Sequence, residues 1–225
     1  MHWKSYILNF TKNKKTEMKY LKFTLLSLAI IAFTACKNDK TEAKDSKENK
    51  AVSTPLYVAK PEATTVSWTA YKTTEKTPVG GQFTTVNFEE KQGRTPAEAL
   101  NNLEFSIPIS SLFTKDESRD AKIKTSFFGA MLDPELIGGT IKHENGKYTA
   151  SITMNGVTND LPLDVTITDE RRVKMTTVMQ LKDWNALEAL AALNEICFEL
   201  HKGADGVSKT WEEVAIEVNT YLRKE

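Results

Sequence analysis

Apolar and polar residues alternate with a period of two along most of the chain after residue 60. The stretch "KYTASITM" (147–154) alternates Tyr, Ala, Ile and Met with Lys, Thr and Ser, and "LPLDVTIT" (161–168) has the same arrangement. This pattern predicts antiparallel strands that are buried on one face only. Eight runs are predicted as strands, near residues 64–73, 79–88, 101–110, 135–143, 147–155, 160–168, 172–182 and 210–222. The Asn145–Gly146 pair between two of them predicts a hairpin.

Strands with one apolar face must hide that face, and either a sandwich or a closed barrel would do so. A barrel also removes the exposed edges. The polar face of Thr, Ser, Lys, Glu and Asp cannot meet lipid, which excludes an outer-membrane barrel. We therefore predict a mainly β protein, an extended eight-stranded antiparallel barrel with an apolar interior. Eight strands lie at the boundary between a filled interior and one that holds a guest, and runs of ten residues or more favour a guest.

One segment departs from the alternation and has helical spacing instead. Its apolar positions are Ala186, Ala189, Leu190, Leu193, Ile196, Cys197 and Leu200. Asn185, with Glu188 three residues later, predicts the start of a helix, and Gly203 follows its end, so we expect a helix over about 185–201. Cys197 is expected to be a buried thiol. A second, short helical turn is expected near 116–124.

The N-terminal part of the chain has the layout of an export signal. The apolar run Phe23–Ala35 would form a helix about 20 Å long, too short for a bilayer core of about 30 Å. Lys19 and Lys22 precede the run, which is typical of a secretory signal peptide. The ending "FTAC" resembles a bacterial lipobox, which implies that Cys36 is the acylated residue. An ordinary secreted protein with an incidental Cys36 is the alternative.

These features predict the organisation of the whole chain. Residues 1–17 are expected to be a spurious upstream extension, and 18–35 the lipoprotein signal peptide. Residues 36–55 alternate charges and lack large apolar side chains, which is typical of a solvated, flexible tether. Residues 56–225 form the predicted barrel domain. We expect an exported lipoprotein, anchored in a membrane of a bacterial cell envelope through Cys36, on its periplasmic or outer-membrane face.

Charge and motifs limit the classes of function. The chain has 30 Lys+Arg and 30 Asp+Glu, and six of these bases but one acid precede Cys36, so the rest is mildly acidic. This balance argues against a nucleic-acid partner. The motifs H-x-x-x-H, C-x-x-C and G-x-S-x-G do not occur, so neither a zinc site nor an esterase is indicated. We expect no catalytic residues, no metal ligands and no catalytic cofactor.

Two stretches, "SRDAKIKTSFFGAMLDPELIGGTI" (118–141) and "MNGVTNDLPLDVTI" (154–167), resemble the YceI-like family. In that family an Arg-Asp pair, a turn with two Phe, a Pro-led strand and a Gly-Val-Thr strand start recur in this order. The stretch "VSWTAYKTTEKTPVGGQFTTVNF" (66–88) is similar to its opening hairpin. The resemblance covers roughly residues 62–182. It implies an extended lipocalin-like barrel of eight antiparallel strands that binds a long polyisoprenoid chain inside.

Parity along the strands then selects the side chains that should face inward and contact the ligand. These are Trp68, Ala70, Phe83, Phe105, Ile107, Phe128, Ile152, Met175 and Met179. Tyr71 and Asn155 are candidates for hydrogen bonds to a polar head group near the mouth.

Two further residue pairs are assigned structural roles. Arg119 and Asp120 are predicted to form an ion pair, and Gly80–Gly81 a turn or bulge.

The sequence thus predicts an exported lipid-binding lipoprotein that holds or carries an isoprenoid, such as a quinone, without chemistry of its own. The alternative is a packed barrel that serves as an interaction or adhesion module without a small-molecule ligand. Whether the protein forms a homodimer is left open.

Overall fold

Strands dominate the structure, a computed structural model that describes residues 55–225. The predictions for the signal peptide and Cys36 lie outside the described residues. In chain order the strands and α-helices are β1 (Tyr57–Val58), β2 (Thr64–Lys72), β3 (Thr77–Phe83), β4 (Asn87–Phe88), β5 (Gln92–Gly93), α1 (Pro96–Leu100), β6 (Leu103–Pro108), β7 (Leu112–Phe113), α2 (Glu117–Lys122), β8 (Leu136–Glu144), β9 (Lys147–Met154), β10 (Val157–Thr168), β11 (Arg172–Gln180), α3 (Leu187–Ile196), β12 (Glu213–Tyr221) and β13 (Arg223–Lys224). The predicted mainly β class is confirmed.

Ten of these strands form one antiparallel sheet in the order β4-β6-β8-β9-β10-β11-β12-β2-β3-β7. Its eight long members match the eight predicted runs. Asn145 and Gly146, with φ of 52° and 77°, form the tight turn between β8 and β9, which confirms the predicted hairpin.

The sheet curls into a barrel, and the chain itself spans the seam. β3 pairs with β2 near one end of the strand order, whereas β4, which follows β3 after three residues, pairs with β6 at the other end. One stretch of chain therefore joins the two ends of the sheet. The predicted lipocalin-like architecture is confirmed in its eight long strands, and very short strands supplement them.

One end of the barrel is closed by a small second sheet and α1. β1 pairs with β13 on one side and β5 on the other, and the N–H of Leu56 and the C=O of Glu225 are 3.0 Å apart. α1 begins after Thr95, whose hydroxyl accepts a hydrogen bond from the Glu98 N–H at 3.1 Å. Leu100 and Leu222 are fully buried here. We call this closure, formed by β1, β5, β13 and α1, the plug.

Helical segments cover the opposite end of the barrel. α2 continues into a π-helical turn (Ile123–Phe127) and a 3-10 turn (Phe128–Ala130), so the helical stretch is longer than the one predicted near 116–124. α3 is shorter than the predicted helix over 185–201. A separate 3-10 turn over Phe198–His201 follows it because the backbone leaves helical geometry at Cys197.

The predicted start of α3 at Asn185 is wrong. Asn185 has a left-handed backbone, with φ of 52°, and ends the 3-10 turn Leu181–Trp184. Its N–H is hydrogen-bonded to the Lys182 C=O, so Ala186 precedes the first turn of α3 and offers no side-chain cap. The predicted apolar face is confirmed in part. Ala186, Ala189 and Cys197 are buried, whereas Ile196 and Leu200 are 49% and 57% exposed.

Leu100→Ala should lower the free energy of unfolding by about 2–5 kcal/mol, because it opens a cavity in the packed plug. Leu187→Ala is the matched control. Leu187 is 44% exposed on α3, and its truncation should change the value by less than about 0.5 kcal/mol. Urea unfolding followed by circular dichroism measures both. Equal midpoints for the two variants would show that the plug is not a packed part of the fold.

Candidate functional site

The barrel encloses a cavity of about 360 Å³. All eight long strands contribute side chains to its wall, as do α2, the π-helical turn and α3. Most of these side chains are apolar. The volume falls within the range of roughly 300–1,000 Å³ that is usual for ligand pockets, whereas a close-packed interior leaves few voids larger than a water molecule. The interior is therefore open.

The structure places all nine predicted ligand-contacting residues on the cavity wall. They are Trp68, Ala70, Phe83, Phe105, Ile107, Phe128, Ile152, Met175 and Met179. Parity succeeded because the pairing of β2 with β3 and of β11 with β12 continues residue by residue, without an inserted position. That these nine side chains contact a ligand stays a prediction.

Two glycines, whose role the sequence reasoning missed, make room for aromatic rings of the cavity wall. Gly81 is paired with Trp68 across β2 and β3, and Gly139 with Phe105 across β6 and β8. A Cβ atom on Gly139 would lie 2.6 Å from Phe105 Cζ, and one on Gly81 would clash with the Trp68 indole. The rings therefore occupy the space above the glycines, which leaves the centre of the barrel open. The sequence signal that could have indicated this close approach is a glycine within a run of alternating apolar and polar residues.

The predicted turn or bulge at Gly80–Gly81 is therefore wrong. Both glycines lie inside β3, in continuous pairing with β2. The lack of a side chain on Gly81 makes room for the Trp68 indole and does not accompany a change of backbone direction.

An aromatic cluster lies where the wall meets the helical end. Phe128 packs edge-to-face against Phe83 and Phe127, with ring centroids 6.5 and 5.0 Å apart. The Trp184 indole donates to the Ile152 C=O at 3.0 Å. These contacts hold the helical segments on the barrel rim.

Asn155 does not face a ligand, so its predicted head-group role is wrong. Its side-chain oxygen accepts from the Leu132 N–H at 2.8 Å, and its amide donates to the C=O groups of Trp184 and Asn185, both at 3.0 Å. Each polar atom of the side chain is already engaged with backbone of the helical end. Tyr71, the other candidate, does line the cavity.

The predicted Arg119–Asp120 ion pair is also wrong. Arg119 faces Asp116, at 3.5 Å between Nη2 and Oδ2. Asp120 Oδ1 instead accepts from the backbone N–H and the hydroxyl of Thr114, at 2.8 and 2.6 Å. Asp120 thereby fastens α2 to the end of β7, a structural role.

All the charged groups of the wall, and several uncharged polar ones, lie at the helical end of the cavity, which we call the mouth. They are Tyr71, Lys72, Asp116, Arg119, Lys122, Cys197, His201 and Thr210. Cys197 is buried, as the sequence predicted, and burial raises the pKa of its thiol, against a smaller opposing effect of Lys122 and Lys72.

His201 is held as a neutral imidazole at the mouth. Thr210 Oγ1 donates to Asn194 Oδ1 at 2.7 Å, so His201 Nδ1, 2.7 Å from the same hydroxyl, is the donor to it. Burial and then the nearby Lys72 ammonium lower the pKa of His201. The ring therefore supports the mouth without adding charge at neutral pH.

Stability should fall as the pH is lowered through about 6.5, because the unfolded chain then binds a proton that folded His201 resists. Carboxylates whose pKa is lowered by hydrogen bonds, such as Asp116 and Glu217, act in the same direction, but only near the ordinary pKa values of 3.8 and 4.5 for these groups. Unfolding free energies between pH 7.5 and 5.5 should decline less in His201→Gln than in the unchanged protein. Parallel slopes would contradict this account.

Metal-binding clusters and membrane-spanning helices were sought in the part of the chain that the structure describes. Across residues 55–225, His, Cys, Asp and Glu side chains do not gather in threes at a distance suited to a metal ion. Over the same residues, no helix is both long and apolar enough to cross a membrane.

An antiparallel barrel curled around an apolar cavity defines the lipocalin-like class of binding folds. The sequence model of the YceI-like domain matches residues 57–222, and the chain belongs to that family. The resemblance seen in the sequence motifs is thereby confirmed. Among curated proteins, no sequence matches the chain.

One solved structure shares the fold, and others are similar to a lower degree. A polyisoprenoid-binding domain from Saccharophagus degradans superposes with a TM-score of 0.57 at 11% identity, over 75% of this chain and 98% of that one. BcnA from Burkholderia cenocepacia has a TM-score of 0.45 at 16% identity, over 71% and 94% of the two chains. The YceI protein of Campylobacter jejuni has 0.42 at 17%, over 65% and 85%.

Proposed function

We propose that this protein holds or carries a long isoprenoid lipid, such as a quinone, inside its barrel and performs no chemistry on it. The open apolar cavity, walled by all eight long strands, is the observation that carries the proposal. The YceI-like family and the shared fold with a polyisoprenoid-binding domain support it.

The wall suits a flexible hydrocarbon chain. Each buried methylene contributes about 0.8 kcal/mol, so several isoprene units together outweigh the cost of ordering the chain. Met175 and Met179 offer thioether side chains that adapt to irregular shapes. Tyr71 and other polar groups at the mouth are available to a head group.

Export and membrane anchoring complete the proposal. The lipobox-like ending before Cys36 supports acylation there, and two or three acyl chains make a durable anchor. A lipid carrier fixed to a membrane surface stays close to the source of its ligand.

Cys36→Ser should release the protein into the soluble exported fraction with its fold unchanged, because the acyl chains are lost. Cell fractionation and intact-protein mass spectrometry measure this. Cys197→Ser is the control, since it removes the other cysteine and should leave the protein on the membrane. An N-terminus without a lipid mass in the unchanged protein would rule out the anchor.

Ala70→Phe should abolish lipid co-purification, because a phenyl ring added to the wall occupies the chain's space. Thr69→Phe is the matched control. Thr69 is the preceding residue of β2 and is not part of the cavity wall, so its change should leave lipid binding intact. Mass spectrometry of organic extracts from detergent-free protein gives the result, and circular dichroism checks the fold.

The packed-barrel alternative makes the opposite prediction. If the unchanged protein from a detergent-free preparation carries no lipid and takes up no quinone, the lipid-binding proposal fails and an interaction module remains.

A further inference from the structure

Large apolar side chains are exposed at the mouth end of the barrel. Ile196 ends α3 and is 49% exposed, and Phe198 and Leu200, in the 3-10 turn that follows, are 48% and 57% exposed. Cys197, between the first two, is buried and belongs to the cavity wall. A single exposed apolar residue needs no explanation, whereas three within five positions form a patch that does. We call Ile196, Phe198 and Leu200 the rim.

The rim is continuous with the wall of the cavity. Leu200 is exposed to solvent and also lines the cavity. Its C=O accepts a hydrogen bond from the ammonium of Lys72, a residue of the mouth, at 2.9 Å. Apolar surface therefore extends from the interior of the barrel, around the edge of the mouth, to the outside.

An indole and two lysines border the rim. Trp211 lines the mouth, and the Lys209 ammonium lies 3.6 Å from the centroid of its ring. The Lys209 N–H donates to the C=O of His201, directly after the rim, at 3.2 Å. The Lys202 ammonium lies 5.8 Å from the centroid of the Phe198 ring. Tryptophan rings and lysines with long apolar stems are the side chains that collect where a membrane meets water.

The ligand of the proposed function needs an apolar route into and out of the barrel. An isoprenoid that left the mouth into water would expose its whole chain, and the free-energy cost grows with every methylene group. A bilayer in contact with the mouth removes that cost, because the chain then passes from one apolar environment to another. The rim lies where such a contact has to form.

On the basis of the proposed function, we propose that the rim is a membrane-docking surface, through which the mouth contacts a lipid bilayer while the ligand enters or leaves. Ile196, Phe198 and Leu200 insert at the boundary between head groups and acyl chains, as the apolar faces of interfacial helices do. Lys202 and Lys209 then lie at the level of the lipid phosphates, which favours a bilayer that contains anionic lipids.

The proposed anchor allows this orientation although it joins the domain at the plug. Cys36 and Leu56 are separated by 19 residues, and a chain of that length spans at most about 70 Å. The longest strand, β10, has 12 residues and is therefore about 40 Å long. The chain between Cys36 and Leu56 is thus long enough for the mouth to face the membrane that holds the anchor.

Flotation with lipid vesicles tests the docking without the acyl anchor. Protein carrying Cys36→Ser, purified from the soluble exported fraction, is mixed with vesicles of equimolar phosphatidylglycerol and phosphatidylcholine and centrifuged through a density gradient. This parent protein should float with the vesicles. Adding Ile196→Ser and Phe198→Ser together should lower the ratio of bound to free protein about tenfold or more, because both changes remove apolar surface that the bilayer buries.

Tyr221→Ser is the matched control for the rim variant. Tyr221 is 41% exposed and pairs with Arg172 at the plug end of β12, away from the mouth. Its change should leave flotation within about twofold of the parent value. Circular dichroism checks that all three proteins are folded.

Uptake of a quinone separates docking from ligand binding. Phylloquinone carried in the vesicles should enter the rim variant more slowly than the parent protein. Phylloquinone added as a dispersion in ethanol should bind to both with equal affinity, because the rim variant leaves Trp68, Ala70 and the rest of the inner wall unchanged.

The outcomes distinguish the two proposals. A parent protein that does not float, or a rim variant that matches it in flotation and in uptake from vesicles, would overturn the docking surface. The proposed function would still stand if dispersed phylloquinone binds. If the rim changes instead dissociate a dimer in analytical ultracentrifugation and leave flotation unchanged, the rim is a contact between two copies, and the membrane proposal is wrong. If the parent floats through the rim but binds phylloquinone from neither source, the docking surface stands and the proposed function fails.

Discussion

Every long strand of this protein has one face that must avoid water, and that requirement determines the shape of the sheet. The hydrophobic effect draws those faces together, while the Thr, Lys and Glu side chains on the other face stay hydrated. Curling brings the apolar faces around a common axis, and the stretch from β3 to β4 joins the two ends of the sheet. The plug then closes one end of the barrel, and the helical segments pack around the mouth at the other. Without the one-sided strands, none of these other elements would have a surface to cover.

The chamber remains open because of how its walls are built. A ring of eight strands is at the limit of what inward side chains can fill. Gly81 and Gly139 reduce the volume that side chains occupy inside the barrel, because the rings of Trp68 and Phe105 lie in the space above them. The cavity thus has two kinds of surface. Most of its wall is apolar, whereas the charged side chains lie at the mouth.

Local pattern was sufficient for the strands and the wall, because side-chain direction in a strand depends only on parity. Parity also placed Lys72 on the same face as Trp68 and Ala70, a signal that the sequence reasoning did not use. The errors at Arg119 and Asn185 are local, since Arg119 faces Asp116 three residues away and Asn185 has a left-handed backbone. Other features depend on partners distant in sequence. Asn155 is engaged by Leu132 and Trp184, and Lys122 reaches the mouth only because α2 packs over the barrel end. The hydrophobic periodicity of a segment carries no information about contacts with residues far away in the sequence.

Residues 56 and 225 are hydrogen-bonded neighbours in the plug, at the far end of the barrel from the mouth. An attachment at Leu56 or at Glu225 therefore holds the domain at the plug, the end of the barrel opposite the mouth. On a bead, a sensor chip or a scaffold joined at Leu56 or Glu225, the barrel presents its opening to the surrounding solution. The same geometry allows two copies to be fused in series with both openings unobstructed.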